Sequence, residues 1–265
     1  MPEIRKPILA VIQARMGSSR LPDKVLLDIA GRPMLARVVE RAKQAALLDD
    51  VIVATTIDPE DDPVAAFCEQ QGYPFCRGPV FDVLARYHLA AETFDGQTIV
   101  RITADCPLID PDVIDRTIDK FLQQPAAVYA SNRLQRYTYP IGLDVEVFTR
   151  DGLERAFSDA EEPYQREHVT PFFYDTPGKF PLVSVEAEGE YGHLRWTVDT
   201  PEDLEFVRRV YRLLADRAHF RWMDVLNLLE QEPELVSINA HIRHKGFRET
   251  DSRGSMDSGT VVEKG

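Results

Sequence analysis

Short runs of apolar residues alternate with stretches in which apolar positions recur every three or four residues through the first half of the chain. The runs are rich in β-branched residues, as in ILAVI, VIVAT and TIVRIT, which is typical of buried strands. Strands are therefore predicted at residues 8–12, 51–55, 75–76 and 98–103, and helices over 33–46, 61–71 and 82–91 and from 111 onward. Strands that alternate with helices of this length predict an α/β fold, with a mixed, mostly parallel sheet and helices on both faces.

The pattern changes in the second half, where longer segments rich in Pro and Tyr separate the apolar runs. These runs predict antiparallel additions to the sheet at residues 127–130, 143–148, 182–186 and 194–198. A strongly amphipathic helix then begins at Pro201. Thr200 or Asp199 can cap it, and Asp203 stands at the third helical position of a capping box.

The chain has 265 residues, of which 44% are hydrophobic and 28% charged, as in an ordinary globular protein. We find no internal repeat and no linker, so residues 1–249 are predicted to form a single domain. Residues 250–265 are small and polar and predict a disordered tail.

A net charge of −13 disfavours a broad nucleic-acid face, because such a surface repels phosphate backbones. The apolar runs are too short to span a membrane. Cys68, Cys76 and Cys106 form no even framework, so reduced thiols in a cytoplasmic protein are expected. The sequence leaves a homodimer open.

The first strand leads into QARMGSSRLPDK, residues 13–24, which we call the basic loop. Three cations in ten residues, Arg15, Arg20 and Lys24, stand out in an acidic chain. Gly17 lets backbone N–H groups approach a ligand closely, and Ser18 adds a hydroxyl. Ligands of open α/β sheets bind beyond the carboxyl ends of the strands, so this loop predicts a phosphate site. A solvated basic loop without a ligand is the alternative.

Two aspartates follow predicted strands, Asp105 after TIVRIT and Asp199 after LRWTV. Mg²⁺ often takes one or two carboxylates together with substrate phosphates, so the pair is a candidate metal site. Taken alone, Asp105 is explained better by a turn or cap role, whereas a helix-cap role and a metal role explain Asp199 equally well. Asp110, before Pro111, is predicted to cap a helix rather than to bind metal.

The segment 131–148 is dense in polar and aromatic residues. Asp144 and Glu146 share one face of the predicted strand 143–148, which fits either substrate contact or exposure to solvent. His168, within REHVTPFFY, is expected on a loop or strand edge.

Several segments together resemble a known family. AVIQARMGSSRLPDKVL at 10–26 is similar to the signature of the cytidylyltransferases that activate sugar acids, such as the CMP-N-acetylneuraminate and CMP-Kdo synthetases. The resemblance is greatest to the SpsF-like branch, which acts in spore coat polysaccharide biosynthesis. Further matches in the same order are DVLARY at 82–87, RITADCPLIDP at 101–111, YPIGLDVEVF at 139–148, REHVTPFFY at 166–174 and WTVDTPEDL at 196–204.

This resemblance implies a GT-A-like nucleotidyltransferase fold, CTP as substrate and Mg²⁺ as cofactor. Its catalytic residues would be Arg15, Lys24 and Asp105, and its metal ligands Asp105 and Asp199. The implied nucleotide-binding residues are Ala14, Arg15, Gly17, Ser18, Arg20, Lys24, Asp82, Thr103 and Ala104. The candidate substrate-binding residues come from the polar segment 131–148 and are Asn132, Tyr139, Asp144 and Glu146. The sialate and Kdo enzymes have Pro where this chain has Gln13, so their sugar acids are not assumed.

The predicted reaction joins CMP to an acidic sugar or a small phosphorylated acid and releases pyrophosphate, in surface polysaccharide or glycan biosynthesis. One alternative is a glycosyltransferase of the same fold that uses a nucleotide-sugar. Another is a nucleotide-binding module without turnover.

Overall fold

The computed structural model describes residues 6–217 and 219–243 and is built around a seven-stranded sheet. The strands of the described residues are β1 Ile8–Gln13, β2 Asp28–Ile29, β3 Arg32–Pro33, β4 Asp50–Thr56, β5 Phe75–Gly78, β6 Thr98–Thr103, β7 Tyr129–Ser131, β8 Glu146–Thr149 and β9 Leu182–Ser184. The strands β2 and β3 form a separate antiparallel hairpin, and the other seven make the sheet.

The order of the sheet is β5-β4-β1-β6-β8-β7-β9. Strands β5, β4, β1 and β6 pair in parallel, so their carboxyl ends meet at one edge. This confirms the predicted mixed, mostly parallel sheet. The expected antiparallel additions are only partly correct, because β8 runs antiparallel to both β6 and β7, whereas β9 pairs in parallel with β7.

Helices cover both faces of the sheet. They are α1 Met34–Ala42, α2 Asp62–Gln71, α3 Val83–Thr93, α4 Pro111–Leu122, α5 Arg150–Asp159, α6 Pro163–His168, α7 Pro171–Tyr174, α8 Pro201–Leu213, α9 Trp222–Gln231 and α10 Glu234–Ser237. Alternate residues of β1 enter two apolar cores, Ile8, Ala10 and Ile12 on one face and Leu9 and Val11 on the other. The first core packs against α1, α4, α8 and α9, and the second against α3 and α5. The central strand is therefore apolar throughout because both its faces are covered.

The helix boundaries follow the signals in the sequence closely. Asp110 caps α4, since its side chain accepts from the N–H of Asp112 at 3.0 Å, as predicted. Gly72 ends α2 with a φ of +66°, which glycine adopts at little cost. Pro33 is the residue before α1 rather than its first residue, so that prediction is wrong by one position.

Two segments differ from the prediction in kind. Residues 194–198 do not form a strand and make a single bridge, between Arg195 and Ile141, in the described part of the chain. Their N–H groups donate to loop carbonyls, from Trp196 to Ile141 at 2.7 Å and from Val198 to Asp105 at 2.8 Å. The apolar alternation there reflects burial between two loops. His168, predicted on a loop or strand edge, is instead the last residue of α6, and REHVTPFFY forms the end of α6, a two-residue bend and all of α7.

The three cysteines are buried and free of disulfides. Within the described residues, no helix is both long and apolar enough to cross a membrane. The predicted tail, residues 250–265, lies outside the described residues.

Candidate active site

The basic loop is pinned at both ends. At its start, the N–H of Ala14 donates to the carbonyl of Ala54 at 3.0 Å, and the N–H of Met16 donates to the Asp61 carboxylate at 2.6 Å. Asp61 is buried and also accepts from the Thr56 hydroxyl. At the far end, the loop enters a short 3-10 helix, Lys24–Leu26. These contacts hold the loop over the carboxyl ends of β1 and β4.

Lys24 lies at the centre of a charged cluster at this sheet edge. Its Nζ donates to Asp105 Oδ2 and to Asp199 Oδ1, each at 2.9 Å, and to the carbonyl of Val198 at 2.9 Å. The two aspartates are 81 and 175 residues away along the chain. The Lys24 side chain is 12% exposed. The structure thus brings together three residues that the sequence analysis placed at one site.

Asp199 contacts two further cations. Its Oδ2 accepts from Arg195 at 2.8 Å and pairs with Arg20 at 3.0 Å. Burial favours the neutral acid, but Lys24, Arg195 and Arg20 outweigh it and hold the pKa of Asp199 below its usual range. The carboxylate therefore stays ionised at neutral pH.

The pKa of Lys24 is raised by the same contacts. Burial opposes its positive charge, yet the charges of Asp105 and Asp199 and their hydrogen bonds outweigh that effect. In the free protein, the cations and carboxylates of the site are consequently paired with one another. Lys24 and Arg20, which are suited to bind phosphate, contact carboxylates that are suited to bind a metal ion.

The helix-cap explanation of Asp199 does not fit the geometry. Thr200 caps α8, because its hydroxyl accepts from the N–H of Asp203 at 3.3 Å, and Asp203 accepts from the N–H of Thr200 at 3.1 Å. Asp203 also receives two hydrogen bonds from Arg195, at 2.9 and 3.0 Å. Asn239 donates to Asp203 at 2.9 Å. The capping box is therefore part of a clamp that orients Arg195 against Asp199.

The other residues predicted to bind nucleotide line the same edge. Ala14, Gly17 and Ser18 belong to the basic loop, and the Ser18 hydroxyl accepts from the N–H of Leu21 at 3.4 Å. Thr103 ends β6, and Ala104 donates its N–H to the Gln13 carbonyl at 3.1 Å.

Asp82 lies farther along the edge, where it caps α3 and pairs with Arg166 at 2.7 Å. Its carboxylate thus has two partners within the protein, and its part in nucleotide binding stays a prediction.

The four residues predicted to bind substrate divide into two pairs. The Asn132 amide donates to the Leu143 carbonyl at 2.7 Å and accepts from the N–H of Val145 at 2.9 Å, so its side chain joins backbone segments. Tyr139 is buried and packs against Trp222, with ring centroids 5.5 Å apart. In the free protein these contacts are all with other parts of the chain, and substrate binding by Asn132 and Tyr139 stays a prediction.

Asp144 and Glu146 are partly exposed and lie nearer the sheet edge. Burial raises the pKa of Asp144, and Arg133 at 3.5 Å only partly opposes that effect. Glu146 opposes Arg101 on the neighbouring strand and forms an ion pair with it. The Glu146 carboxylate also accepts from Tyr129 and Thr170, each at 2.6 Å. Glu146 therefore holds the end of β6 in place, and Asp144 is the more available acid.

His168 completes this region. Its Nε2 is buried and has no hydrogen-bond partner among the described residues. Burial and the charge of Arg101 lower the pKa of His168 to about 4, so the imidazole is neutral at pH 7. The nearby charges of Arg15 and Glu146 also act on it.

Asp61, Arg195 and Arg101 contact the site but were not predicted from the sequence. Each of the three contacts a partner that is distant in sequence or acts on another site residue. The spacing of residues along the chain therefore did not indicate their roles. In retrospect, the charged residues inside otherwise apolar runs, Arg101 in TIVRIT and Arg195 in LRWTV, were the available clue, because a charge inside a buried element needs a partner.

Comparison with known proteins identifies relatives along most of the chain. A family model described as cytidylyltransferase matches residues 9–232. The spore coat polysaccharide biosynthesis protein SpsF of Bacillus subtilis is 31% identical over 241 residues, covering 87% of this chain and 97% of that protein.

Two solved structures extend the comparison. A cytidylyltransferase from Leptospira borgpetersenii superposes with a TM-score of 0.84 at 33% identity, covering 90% of this chain and 99% of that one. A CMP:2-keto-3-deoxy-manno-octonic acid synthetase complexed with CTP gives a TM-score of 0.59 at 25% identity, covering 78% and 99%.

Proposed function

The chain belongs to the cytidylyltransferase family and is a nucleotidyltransferase enzyme, and on that premise we propose that it joins CMP from CTP to an acidic sugar or a small phosphorylated acid. Pyrophosphate is the second product. The relatives support this assignment, since one acts in spore coat polysaccharide biosynthesis and another was solved with CTP. We also propose that residues 1–249 act as one nucleotidyltransferase domain in the synthesis of a surface polysaccharide or glycan.

One observation carries the proposal: the Lys24 ammonium lies between the Asp105 and Asp199 carboxylates, with Arg20 on the same Asp199. A structural salt bridge needs only two partners. Here, three cations and two carboxylates, with Arg195 as the third cation, converge from three distant segments at the edge of the sheet where ligands of this architecture bind. This arrangement suits a ligand that carries several negative charges together with a counter-ion.

Triphosphate binding would exchange the partners of these charges. Arg20 and Lys24 are held in place by Asp199 in the free protein. Phosphate oxygens would draw both cations away, while Arg15 and the backbone of the basic loop would hold the rest of the triphosphate. Each charge-assisted contact of this kind contributes about 1.5–3 kcal/mol. The same exchange would free the carboxylate oxygens of Asp199 and Asp105.

The residues fit a magnesium ion. Asp105 and Asp199 already share one cation, the Lys24 ammonium, so their oxygens converge on a single point. Among the described residues, no group of three or more His, Cys, Asp or Glu side chains could hold a metal. Two carboxylates nevertheless suit Mg²⁺, which takes few protein carboxylates and completes its shell with phosphates and water. Bound there, Mg²⁺ would offset the charge that develops as pyrophosphate leaves.

The chemistry needs no covalent intermediate. An acceptor oxygen attacks the α-phosphorus, a new P–O bond forms, and the bond between the α- and β-phosphates breaks. Lys24 and Arg20 stabilise the charge on the departing pyrophosphate. The acceptor would approach from the side of β8, where Asp144, Arg133 and His168 lie.

The test is a screen of pyrophosphate release. The enzyme is given each of the four nucleoside triphosphates with Mg²⁺ and a panel of sugar acids and phosphorylated small acids, and Asp105→Asn serves as the inactive control. We expect release with CTP and one class of acceptor, and its loss with a chelator. Absence of pyrophosphate release from CTP with every acceptor in the panel would reject the proposed function.

A further inference from the structure

Asn239, in the turn after α10, connects the C-terminal segment to the candidate active site. The residue is 3% exposed. Its side-chain nitrogen donates to the carbonyl of Arg195 and to Asp203 Oδ1, each at 2.9 Å. An amide nitrogen carries two hydrogens, so these contacts use both of them. The buried amide is therefore held in one orientation between the two acceptors.

The two contacts of Asn239 fix both ends of the Arg195 side chain. One holds the backbone carbonyl of Arg195. The other holds Asp203, which is fully buried and whose carboxylate accepts from the Arg195 guanidinium at 2.9 and 3.0 Å. The Arg195 side chain is itself 4% exposed. Its long stem thus runs between a fixed backbone and a fixed carboxylate, which limits its rotamers.

Arg195 in turn orients the two oxygens of Asp199. Its Nη2 donates to Asp199 Oδ2 at 2.8 Å, whereas Lys24 contacts Oδ1. Once the Lys24 ammonium has moved to phosphate, Arg195 still holds Oδ2, and Oδ1 faces the ligand. Mg²⁺ demands near-ideal octahedral geometry, and residues that orient its ligands strongly affect its affinity.

The C-terminal segment is a rigid base for this contact, although it lies outside the part of the chain that the cytidylyltransferase family model matches. That match ends at residue 232, before α10 begins. Leu235 of α10 is 1% exposed and belongs to the same apolar core as Val225 of α9. Asn239 therefore projects from a packed element and not from a free end.

We propose that Asn239 is a positioning residue through which the C-terminal segment strengthens the binding of Mg²⁺ at Asp199. This inference rests on the proposed function, because it takes Asp199 as a metal ligand. Asn239 acts through Arg195 and Asp203, which keep the Asp199 carboxylate in one orientation. Its loss weakens the contribution of the metal to CTP binding and leaves the binding of CTP without metal as it was.

The test is Asn239→Leu in the full chain, since leucine has a similar size and no donors. Calorimetry without an acceptor measures the affinity for CTP with Mg²⁺ and with EDTA, and the ratio of the two affinities gives the contribution of the metal. We expect this ratio to fall about fivefold or more, as for the loss of one hydrogen bond to a charged group. The affinity for CTP in EDTA should be unchanged.

Asn239→Ser is the second variant, because serine is smaller than asparagine and keeps one donor. The ratio should fall in the same direction but by less than in Asn239→Leu. This variant also tests the proposal if the leucine side chain prevents folding.

Val225→Ala is the matched control. It removes packing from the neighbouring α9, and the apolar Val225 side chain has no polar atom that could bond to Arg195 or Asp203. Its melting temperature should fall, as in any variant that loses core packing, while the ratio stays at the wild-type value.

Three results would overturn the proposal. The first is an unchanged ratio in the Asn239 variants. The second is an equal loss of CTP affinity with Mg²⁺ and with EDTA, or the same fall of the ratio in Val225→Ala, since Asn239 would then only support the fold. The third is a wild-type protein whose affinity for CTP does not depend on Mg²⁺. Failure of the proposed function looks different, because the wild-type enzyme would then release no pyrophosphate from CTP with any acceptor.

Discussion

Lys24 links the two aspartates of the site, because its ammonium donates hydrogen bonds to both Asp105 and Asp199. Taken one at a time, each of these side chains can be explained from the sequence without a ligand, as part of a solvated loop, a turn or a helix cap. Their convergence on one nitrogen is what separates a binding site from a set of caps and turns. At the residue scale, the proposed function therefore requires the two carboxylates to exchange the Lys24 ammonium for another cation.

Lys24→Met should make the stability of the protein depend on magnesium. The variant leaves two carboxylates with less compensating charge, so we expect a loss of about 1–3 kcal/mol in the free energy of unfolding. A divalent ion can replace the ammonium between them, so added Mg²⁺ should raise the melting temperature of the variant more than that of the wild type. Thermal unfolding with and without Mg²⁺ measures both. An identical response in the two proteins would mean that Asp105 and Asp199 form no cation site.

His168 predicts a pH dependence of stability. Its pKa is lowered to about 4 by burial and by Arg101, while an unfolded histidine titrates near 6.5. Between these values the unfolded chain binds the extra proton, so stability is full above about pH 6.5 and falls as the pH drops towards 4. The loss reaches at most about 3 kcal/mol, at roughly 1.4 kcal/mol per pKa unit.

Urea unfolding at pH 7 and pH 5 compares the wild type with His168→Gln, in which this slope should be shallower. Carboxylates that titrate below pH 5 are common to both proteins and cancel in the comparison. Equal slopes would show that His168 is not buried in its neutral form.

At the scale of elements, the sequence predicted the strands and helix ends that are determined by neighbouring residues. The strands β1, β4 and β6 were predicted from β-branched runs, and Gly72 and Asp110 marked helix ends correctly, because caps and buried strands depend on nearby residues. Residues 194–198 also have a strand-like pattern, with alternating apolar positions, yet their hydrogen bonds go to loops far away in sequence. The clamp of Arg195 by Asp203 could not be predicted either, because it needs the three-dimensional path of that segment.

Thr200→Ala tests whether the cap of α8 can be removed without loss of catalytic turnover. The variant loses the cap of α8, which should cost about 1 kcal/mol in the free energy of unfolding. Turnover should be retained, because the Asp203 carboxylate still holds Arg195 against Asp199. Chemical unfolding and a pyrophosphate assay on the same preparation measure the two effects. A folded variant without turnover would show that the cap and the site cannot be separated.

At the scale of the whole molecule, the parallel half of the sheet makes the site. Strands β1 and β6 are neighbours and run in the same direction, so the basic loop and Asp105 emerge side by side. Residues 194–198 then bring Asp199 to the same place through hydrogen bonds with the loop after β6. The sequence predicted that the basic loop and Asp105 lie together, because this follows from the fold class. It also predicted Asp199 as a site residue, but not the contacts of residues 194–198 that bring it there.

Deletion of residues 250–265 should leave both fold and activity intact. That segment has few large apolar residues, whereas the described chain already ends in a packed region around the buried Leu235 and Asn239. The melting temperature and turnover of the truncated chain should match those of the full chain. A large fall in the melting temperature would mean that the segment packs on the domain or between copies of it.

The most direct test of the central claim is the turnover of Asp199→Asn, measured as pyrophosphate release from CTP with Mg²⁺, alongside Thr200→Ala. The amide keeps the size of the side chain but loses the charge that faces Lys24, Arg20 and Arg195. We predict a loss of roughly 100-fold or more in Asp199→Asn, with the fold intact by circular dichroism, and near-normal turnover in Thr200→Ala. A fully active Asp199→Asn enzyme would contradict the account, because the two-aspartate site would then play no part in the reaction.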